Sequence, residues 1–296
     1  MTDLDALNRD FGIAGEVRFT WNADLGGPVV DVANSAATAR IALKGAQVLG
    51  WTPAGEGPLL WVSPMARLDA AKAVRGGVPI CWPWFADHPS DPQQPFHGLV
   101  RTLDWVPVTV TGGGGTTRLV FTLPDATNPA LPLRPHLEVE VGRTLKISLS
   151  THNGGAETVT LTEALHTYFA VADVRQVAIA GLDGVTYLDK VAAFARRSQS
   201  GAVAFAGEVD RIYLSGGPVR IADPGLGRVI DVQSHGSGAT VVWNPGAERA
   251  ARMPDVPGDS WRGYVCVETA NAADAAVRIA PGDRHTMVAE ITVRRG

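Results

Sequence analysis

The sequence predicts an all-β protein built as a large antiparallel β-sandwich. Three observations favour this fold: short β-rich segments recur along the chain, their apolar residues alternate with period two, and 33 glycines and 20 prolines separate them. These turn signals recur too often for parallel strand–helix–strand units. No change in composition divides the 296 residues, so we expect a single domain over residues 1–296.

Two hairpins are the clearest elements of the sequence. Val106–Thr111 and Thr116–Leu123 flank the four glycines Gly112–Gly115, which we interpret as the loop of the first hairpin. His136–Val141 and Thr144–Ser150 flank a two-residue turn and form the second. Apolar side chains occupy alternate positions along both of its arms, which indicates strands with one buried face.

Eight further segments are predicted strands: Arg40–Leu43, Thr158–Leu165, Gln176–Ala180, Val219–Ala222, Arg228–Gln233, Ala239–Trp243, Gly263–Thr269 and His285–Arg294. Helical patterns are weak. They occur at Asp3–Arg9 and at Met65–Ala73, and the second could equally be a loop.

The composition is that of an ordinary globular protein, with 45% hydrophobic and 19% charged residues. The net charge of −4 provides no basic field that would favour nucleic acid as a partner. There is no apolar run of the roughly 18 residues that a membrane helix requires, and the N-terminus lacks a signal-peptide pattern. Cys81 and Cys266 do not form a disulfide framework. We therefore expect a cytoplasmic protein without a membrane partner.

The most informative segment is Arg75–Phe85, which combines one arginine with two glycines, two prolines and three large aromatic residues. Glycine lets a backbone approach a ligand, arginine supplies a planar fork of donors, and the faces of Trp82 and Trp84 suit a sugar ring. Taken alone, the same residues could form an aromatic corner of the core with a solvated arginine. A second segment, His97–Arg101, follows closely and favours a binding wall.

Three titratable residues are candidates for acid–base chemistry: His97, His166 and Glu268. Such chemistry needs two groups that exchange protons near neutral pH. Glu268 ends an apolar strand, where it either points into water or faces a cavity at the sheet edge. A lone histidine such as His166 is more often a hydrogen-bonded core residue. Glu163 and His166 are an odd number of residues apart in a strand, so they face opposite sides and do not form a metal pair.

Asp210 precedes Arg211, and the two form either a surface ion pair or a site in which Asp210 contacts sugar hydroxyls. No spacing typical of a zinc site occurs, so we expect no bound metal. No phosphate-binding glycine loop follows a strand and opens a helix. The residues therefore do not favour a nucleotide cofactor.

Six segments of the chain follow an order found in a known family. They are Lys72–Phe85, His97–Arg101, Ala164–Phe169, Asp210–Tyr213, Trp243–Pro245 and Val265–Thr269. Together they resemble the hexose-6-phosphate mutarotases, also called glucose-6-phosphate 1-epimerases, a branch of the aldose 1-epimerases. The resemblance extends over about residues 40–290, nearly the whole chain.

The resemblance implies a galactose-mutarotase-like β-supersandwich without a cofactor, which interconverts the α and β anomers of a hexose 6-phosphate, with glucose 6-phosphate as the main candidate. It implies that Glu268 is the general base, which takes the proton of the anomeric hydroxyl. His166 would be the general acid, protonated near neutral pH, which protonates the ring oxygen. The ring would open, and the free aldehyde would re-close on its other face.

The resemblance also implies four substrate-binding residues. His97 and Asp210 would bind sugar oxygens, while Arg75 and Arg101 would hold the anionic group. A sugar ring alone would not need two arginines, whereas guanidinium groups bind phosphate through paired, charge-assisted hydrogen bonds. A phosphate-bearing hexose is therefore the expected substrate.

The chain departs from the family pattern at two places. Phe96 occupies a position where some members carry glutamine, so one polar contact to the substrate is expected to be missing. The stretch Gly246–Met253 matches only loosely, with Arg249 at the position of a family lysine.

Two alternatives belong to other functional classes. A non-catalytic carbohydrate-binding β-sandwich would keep the aromatic residues and arginines but would not need His166 and Glu268 together. A glycoside hydrolase would use Asp210 and Glu268 as its carboxylate pair, at a fixed separation across the scissile bond. The six ordered segments favour the mutarotase.

Overall fold

The computed structural model describes residues 2–68, 72–124 and 132–296. These residues contain two α-helices, α1 (Leu4–Phe11) and α2 (Gly246–Ala250), and several single turns of 3-10 helix. The strands are β1 (Val17–Asn22), β2 (Gly27–Ala33), β3 (Ala37–Ala42), β4 (Val48–Pro53), β5 (Ile80–Cys81), β6 (Val106–Gly113), β7 (Thr116–Thr122), β8 (Leu133–Val141), β9 (Leu145–Asn153), β10 (Val159–Leu161), β11 (Glu163–Leu165), β12 (Tyr168–Ala170), β13 (Ala178–Ala180), β14 (Thr186–Asp189), β15 (Ala195–Ser198), β16 (Val209–Tyr213), β17 (Val219–Asp223), β18 (Arg228–His235), β19 (Ala239–Asn244), β20 (Tyr264–Asn271), β21 (Val277–Ile279) and β22 (Arg284–Arg295).

The described strands form four sheets. One eight-stranded sheet, here called the site sheet, has the order β15-β14-β16-β19-β20-β11-β5, with β12 also pairing with β20. A second eight-stranded sheet has the order β13-β17-β18-β22-β9-β8-β7-β6. A four-stranded sheet runs β1-β2-β3-β4, and β10 pairs with β21. Every pairing between these strands is antiparallel, which confirms the predicted class of fold.

The two large sheets face each other across the main hydrophobic core. Ser234 of β18 and Thr269 of β20 are hydrogen-bonded at 2.9 Å, and the amide of Asn271 on β20 contacts the Met287 sulfur on β22. Because successive side chains of a strand point to opposite faces, Glu268 lies on the other face of the site sheet. The sandwich therefore leaves one face of the site sheet available for a site.

Both predicted hairpins are confirmed, as β6–β7 and β8–β9. Every second side chain of β8 and β9 is buried, as the alternating sequence predicts. In the β6–β7 hairpin, Gly112 and Gly113 belong to the strand rather than to the loop. Gly114 and Gly115 both have positive φ angles, which lets the chain reverse without steric cost.

The segment Thr158–Leu165, predicted as one strand, is two strands that belong to different sheets. β10 pairs with β21, whereas β11 pairs with β20 and β5. Thr162 lies between them, and its Oγ1 accepts a hydrogen bond of 2.9 Å from the backbone N–H of Phe85. This side-chain contact occupies the position at which the strand is interrupted.

α1 confirms the helical pattern predicted at Asp3–Arg9. Asp3 caps this helix by accepting a hydrogen bond of 2.9 Å from the backbone N–H of Ala6. The pattern at Met65–Ala73 is not helical in its described part; its residues 69–71 lie outside the described residues. α2 has no counterpart among the predicted helices. None of the helices described here has the length and apolar character needed to cross a membrane.

Candidate active site

Strand register gathers the site on the available face of the site sheet. Asp210 of β16 lies opposite Trp243 of β19, which lies opposite Cys266 of β20. Glu268 follows Cys266 by two residues and so shares its face. Contrary to the sequence interpretation, Glu268 does not end its strand, because β20 continues to Asn271. Glu268 lies within the strand and is buried beneath a cavity.

His166 lies beside Glu268 in the wall of this cavity. It directly follows β11, the strand that pairs with β20, and its Nε2 lies 3.3 Å from Oε1 of Glu268. Both side chains are almost excluded from solvent, at 10% and 1% exposure. Neither His166 Nδ1 nor Glu268 Oε2 has a hydrogen-bond partner among the described residues. Buried polar atoms are normally paired, so the two unpaired atoms make this pair a candidate for contact with a ligand.

Burial makes both charged forms costly. It lowers the pKa of His166 well below the usual range, and the positive charges of Arg75 and Arg101 lower it further. Burial also raises the pKa of Glu268 well above its usual range, and the nearby carboxylate of Asp210 adds to this effect. The substrate-free pair therefore favours a neutral imidazole, in contrast to the protonated imidazole that the sequence led us to expect.

His97 occupies a strained turn at the edge of the same cavity. Its φ angle is +67°, a left-handed conformation that is uncommon for a residue other than glycine. Its Nδ1 accepts a hydrogen bond of 3.0 Å from the backbone N–H of Ala86, so the neutral ring carries its proton on Nε2 and can donate it to a ligand. Burial lowers the pKa of His97 far below its usual range, with His166 contributing, which keeps the ring neutral.

Arg75 and Arg101 border a neighbouring cavity of about 320 Å³. Arg75 pairs with Asp255 at 2.8 Å, and its Nη1 donates to the hydroxyl of Tyr168 at 3.1 Å. Arg101 donates to the backbone carbonyl of Phe96 at 2.6 Å, which fixes its side chain beside the cavity. Two guanidinium groups thus converge on one opening, an arrangement typical of an anion site.

The two cavities adjoin. The one above Glu268 has a volume of about 250 Å³, and Arg75, Phe96, His97 and His166 line both. All six site residues predicted from the sequence line at least one of the two cavities. These residues are Arg75, His97, Arg101, His166, Asp210 and Glu268. The structure therefore places a polar, partly aromatic cavity beside one bordered by two guanidinium groups, with His166 and His97 lining both.

Asp210 is buried and belongs to this site rather than to a surface ion pair. Its Oδ2 lies 3.0 Å from the ammonium of Lys190. Arg211, its neighbour in β16, points to the other face and hydrogen-bonds Gln199 at 3.2 Å. Glu163 likewise faces away from His166, toward the side chain of Asn271 at 3.1 Å. The alternation of the strands accounts for both separations.

The glycines after Arg75 were expected to let the backbone approach a ligand, but the structure shows a different reason for them. A Cβ on Gly76 would lie 2.4 Å from the Cα of Val62, and one on Gly77 would lie 2.2 Å from the carbonyl oxygen of Val48. Both glycines also have positive φ angles. They are therefore required because neighbouring backbone passes close by, rather than because a ligand does.

The aromatic wall also differs from the expected one. Trp82 is buried and donates to Oγ1 of Thr151 at 3.0 Å, while Trp84 donates to the carbonyl of Pro95 at 2.9 Å. Neither tryptophan lines the cavity above Glu268. The aromatic side chains that do line it are Phe85, Phe96 and Trp243.

Two residues noted as departures from the family pattern lie at the cavity rim. Phe96 is about half exposed and packs against His97, with ring centroids 4.0 Å apart. Arg249 lines the cavity above Glu268 and is ion-paired with Glu208. An apolar ring thus occupies the place of the polar contact that the sequence suggested was missing.

Sequence reasoning did not identify Lys190 as part of the site. Its ammonium lines the cavity above Glu268 beside Asp210. The residue directly follows β14, a strand that was not predicted, and no motif surrounds it. The pairing of β14 with β16 brings it into the site, and strand pairing between distant segments leaves no local pattern in a sequence.

His166, Cys266 and Glu268 place possible metal-ligand atoms within 4.8 Å of one another among the described residues, a cluster that spacing rules did not reveal. A metal would require the thiolate of Cys266. Burial raises the pKa of this thiol well above its usual range, and the charge of Glu268 raises it further. The donor set is therefore poorly suited to a divalent cation, and the free imidazole and carboxylate suit proton transfer better.

Comparison with known proteins places the chain in a family. The family model described as aldose 1-epimerase matches residues 28–292. A protein of Escherichia coli (strain K12) named "Putative glucose-6-phosphate 1-epimerase" is 37% identical over 244 residues, which cover 80% of each chain.

Solved structures show the same relationship. A crystal structure of a "putative mutarotase" from Salmonella typhimurium has a TM-score of 0.88 at 32% identity, covering 97% of this chain and 96% of the other. A "galactose mutarotase-like protein" from Clostridium acetobutylicum has a TM-score of 0.71 at 11% identity, with coverage of 95% and 98%, and shares the fold. The family match does not favour a carbohydrate-binding module or a glycoside hydrolase. The chain belongs to the aldose 1-epimerase family, and its fold is the galactose-mutarotase-like β-sandwich.

Proposed function

We propose that the protein interconverts the α and β anomers of a hexose 6-phosphate, with glucose 6-phosphate as the first candidate. The observation that carries this proposal is the anion subsite of Arg75 and Arg101, which adjoins the cavity that contains His166 and Glu268. The E. coli relative that carries "glucose-6-phosphate 1-epimerase" in its name supports the same substrate.

In the proposed reaction Glu268 removes the proton from the anomeric hydroxyl while His166 donates a proton to the ring oxygen. The bond between the anomeric carbon and the ring oxygen breaks, and the aldehyde forms. Rotation about the neighbouring carbon–carbon bond presents the other face of the aldehyde, and the ring closes with both proton transfers reversed. Protons and electrons balance without a cofactor.

The environment of the pair supports these roles. A carboxylate whose pKa is raised by burial is a stronger base, and an imidazole whose pKa is lowered is a stronger acid once protonated. The 3.3 Å contact between Nε2 and Oε1 lets one proton reside on either group. The productive arrangement has that proton on His166 and the negative charge on Glu268.

The remaining residues would bind the substrate. Asp210 would accept hydrogen bonds from sugar hydroxyls, and His97 would donate one from Nε2 to a sugar oxygen. Arg75 and Arg101 would hold the phosphate with charge-assisted hydrogen bonds. Trp243 and Phe85 would provide apolar faces for the ring.

Exchange NMR of the two anomers tests the proposal directly. With protein present, the α and β forms of glucose 6-phosphate should interconvert much faster than they do spontaneously, and glucose should exchange far less efficiently. Equal turnover of glucose and glucose 6-phosphate would contradict the phosphate part and leave a general aldose mutarotase. No acceleration for any aldose or aldose phosphate would contradict the proposal itself.

Arginine variants locate the phosphate. Arg101→Ala should raise the KM for glucose 6-phosphate much more than the KM for glucose, because only the phosphate uses the guanidinium group. Arg278→Ala provides a matched control, since Arg278 is exposed on β21. A similar change of KM for both sugars would show that Arg101 supports the loop rather than the phosphate.

A further inference from the structure

We propose that Lys190 is a positioning residue of the sugar subsite, which holds Asp210 as a carboxylate directed at the cavity and offsets its negative charge beside Glu268. This inference rests on the proposed function for the identity of the sugar, but the charge arrangement belongs to the protein alone. Its support comes from the register of two strands, the burial of the ion pair and the charges around it.

Strand register brings the two charges together. Leu188 and Asp189 of β14 lie opposite Ile212 and Arg211 of β16, so Lys190, the residue that directly follows β14, comes beside Asp210. The Lys190 Nζ lies 3.0 Å from Oδ2 of Asp210. Their side chains are only 18% and 9% exposed, unlike an ordinary surface lysine.

The backbone after Lys190 is held in an unusual conformation. Ala193 and Phe194 both have positive φ angles, of 51° and 61°. The backbone N–H of Phe194 donates to the carbonyl of Asp189 at 2.8 Å and closes the turn around Lys190. Two consecutive residues in the left-handed conformation are energetically costly, so the surrounding structure must hold this turn. The turn thereby fixes the backbone position of Lys190.

The ammonium group has donors to spare. Lysine carries three N–H donors, and one is directed at Asp210. The group also lies 5.8 Å from the ring centre of Phe85, which lines the same cavity. The remaining N–H donors of Lys190 are therefore available to a sugar hydroxyl. That hydroxyl would lie on the side of the sugar ring nearest to Asp210.

The lysine also acts electrostatically on two acidic groups. Burial raises the pKa of Asp210 and the charge of Lys190 opposes that change. Burial and Asp210 raise the pKa of Glu268, and Lys190 again opposes them. Without the lysine, two buried carboxylates would compete for one proton, as like charges at close range do.

Other charged and titratable groups face the pair from the neighbouring elements. Arg249 of α2 and Glu208, which precedes β16, act on Asp210, whereas Glu268 faces His166 and the thiol of Cys266. Arg249 is already paired with Glu208. Lys190 is therefore the cation in direct contact with Asp210 in the described part of the chain.

Carboxylate NMR of the substrate-free protein provides the first test. The side-chain carbonyl carbons of Asp210 and Glu268 are followed across pH in the wild type, Lys190→Met and Lys190→Arg. Loss of the positive charge should move the titration of Asp210, and with it that of Glu268, upward by about 1–3 pH units. Lys190→Arg should stay close to the wild type, because it keeps the charge.

Lys146→Met serves as the matched control. Lys146 also lies between two carboxylates, those of Glu140 and Glu290, but on the second sheet. Its loss should leave both site carboxylates unchanged. Titration curves of Asp210 and Glu268 that coincide in the wild type and Lys190→Met would overturn the inference, whatever reaction the protein catalyses.

The low-pH limb of kcat/KM provides the second test. It should move to higher pH in Lys190→Met, because Glu268 then takes up a proton at a higher pH and is lost as the base. Asp210→Asn should move the limb to lower pH, and the double variant should lie between the two single variants. Coinciding limbs in an active protein would overturn the inference and leave the proposed function intact.

The double variant also covers the case in which Lys190→Met does not fold. It leaves neither partner of the ion pair as an uncompensated buried charge. If the double variant has the same low-pH limb as Asp210→Asn alone, Lys190 has no electrostatic effect on Glu268 and the inference fails.

Discussion

Glu268 and His166 are in contact where solvent hardly reaches them, and this environment, more than the residue types, sets their chemistry. The ordered motifs indicated both residues as candidates, and the structure brings them together. Their protonation was not predictable, because it depends on burial and on Arg75 and Arg101, which lie far away in sequence from His166. Lys190 was not predicted either, because its place in the site also depends on residues that are distant in sequence.

Glu268→Gln should abolish the base while keeping the size of the side chain. We expect anomer exchange to fall by about 10²–10⁴-fold, because an amide cannot accept the anomeric proton, while binding of the sugar phosphate changes far less. Exchange NMR measures the rate, and calorimetric titration measures binding. Glu248→Gln, at an exposed residue of α2, is the control. Near-normal exchange in a folded Glu268→Gln protein would refute the assignment.

The phosphate group should change the pH dependence of kcat. Burial lowers the pKa of His166 first, and the charges of Arg75 and Arg101 lower it further. A bound phosphate offsets those charges, so the pKa of His166 should be higher with glucose 6-phosphate than with glucose. His166 then keeps its proton to a higher pH, and the high-pH limb of kcat should lie at higher pH for the phosphorylated sugar.

The pH profiles of kcat for both sugars measure this effect. The difference between them should shrink in Arg101→Ala, where one of the offset charges is gone. If the high-pH limbs of the two sugars coincide in the wild type, the phosphate contributes binding energy only and does not act on His166.

At the scale of elements, alternation and glycine-rich turns predicted several strands that have one polar face, among them β8, β9 and β18. They did not predict β1, β2, β4, β5, β12, β14–β16 or β21. β5 contains only two residues, and both are buried. β12 has two aromatic residues and an alanine, and its first two residues are both buried, so neither strand alternates. β16 mixes apolar and charged residues without a regular alternation, because the charged Asp210 faces a buried site rather than solvent.

The turn that carries His97 should be intolerant of a side chain at Gly98. A Cβ there would lie 2.0 Å from the carbonyl oxygen of Trp82, and the φ angle of +78° is unfavourable for alanine. Gly55 is the matched control, with a φ angle of +83° and open space around it. Gly55→Ala should cost about 1–2 kcal/mol of stability from the backbone conformation alone.

Gly98→Ala should cost clearly more than Gly55→Ala and should also reduce anomer exchange, because His97 moves with the turn. Urea unfolding measures the free energy of both variants, and exchange NMR measures the rate. Equal losses of stability would show that the backbone beside Trp82 relaxes easily and that the turn does not depend on this close approach.

At the scale of the whole molecule, the largest of three buried hydrophobic clusters contains residues of all three larger sheets. Trp51 of β4 donates to the carbonyl of Gly142 in the β8–β9 turn at 3.1 Å, which joins the four-stranded sheet to the second large sheet. Trp82, next to β5 of the site sheet, donates to Thr151 of β9 at 3.0 Å. That residues 1–296 fold as one domain stays a prediction from uniform composition, and these links lead us to expect the sheets to unfold together.

Unfolding in urea tests whether the chain is one cooperative unit. The protein contains eight tryptophans, and labelling with 5-fluorotryptophan gives each a separate fluorine resonance. Trp51 reports on the four-stranded sheet and Trp243 on the site sheet, while the exposed Trp21 on β1 serves as a control for solvent effects on the signal. Because the same core covers both buried rings, we expect their unfolding midpoints to coincide with each other and with loss of the far-ultraviolet circular dichroism signal. A lower midpoint for Trp51 would mean that the four-stranded sheet unfolds by itself, which contradicts a single domain. If the midpoints coincide and the His97 side chain becomes mobile only at global unfolding, the turn that carries His97 is as stable as the entire sandwich.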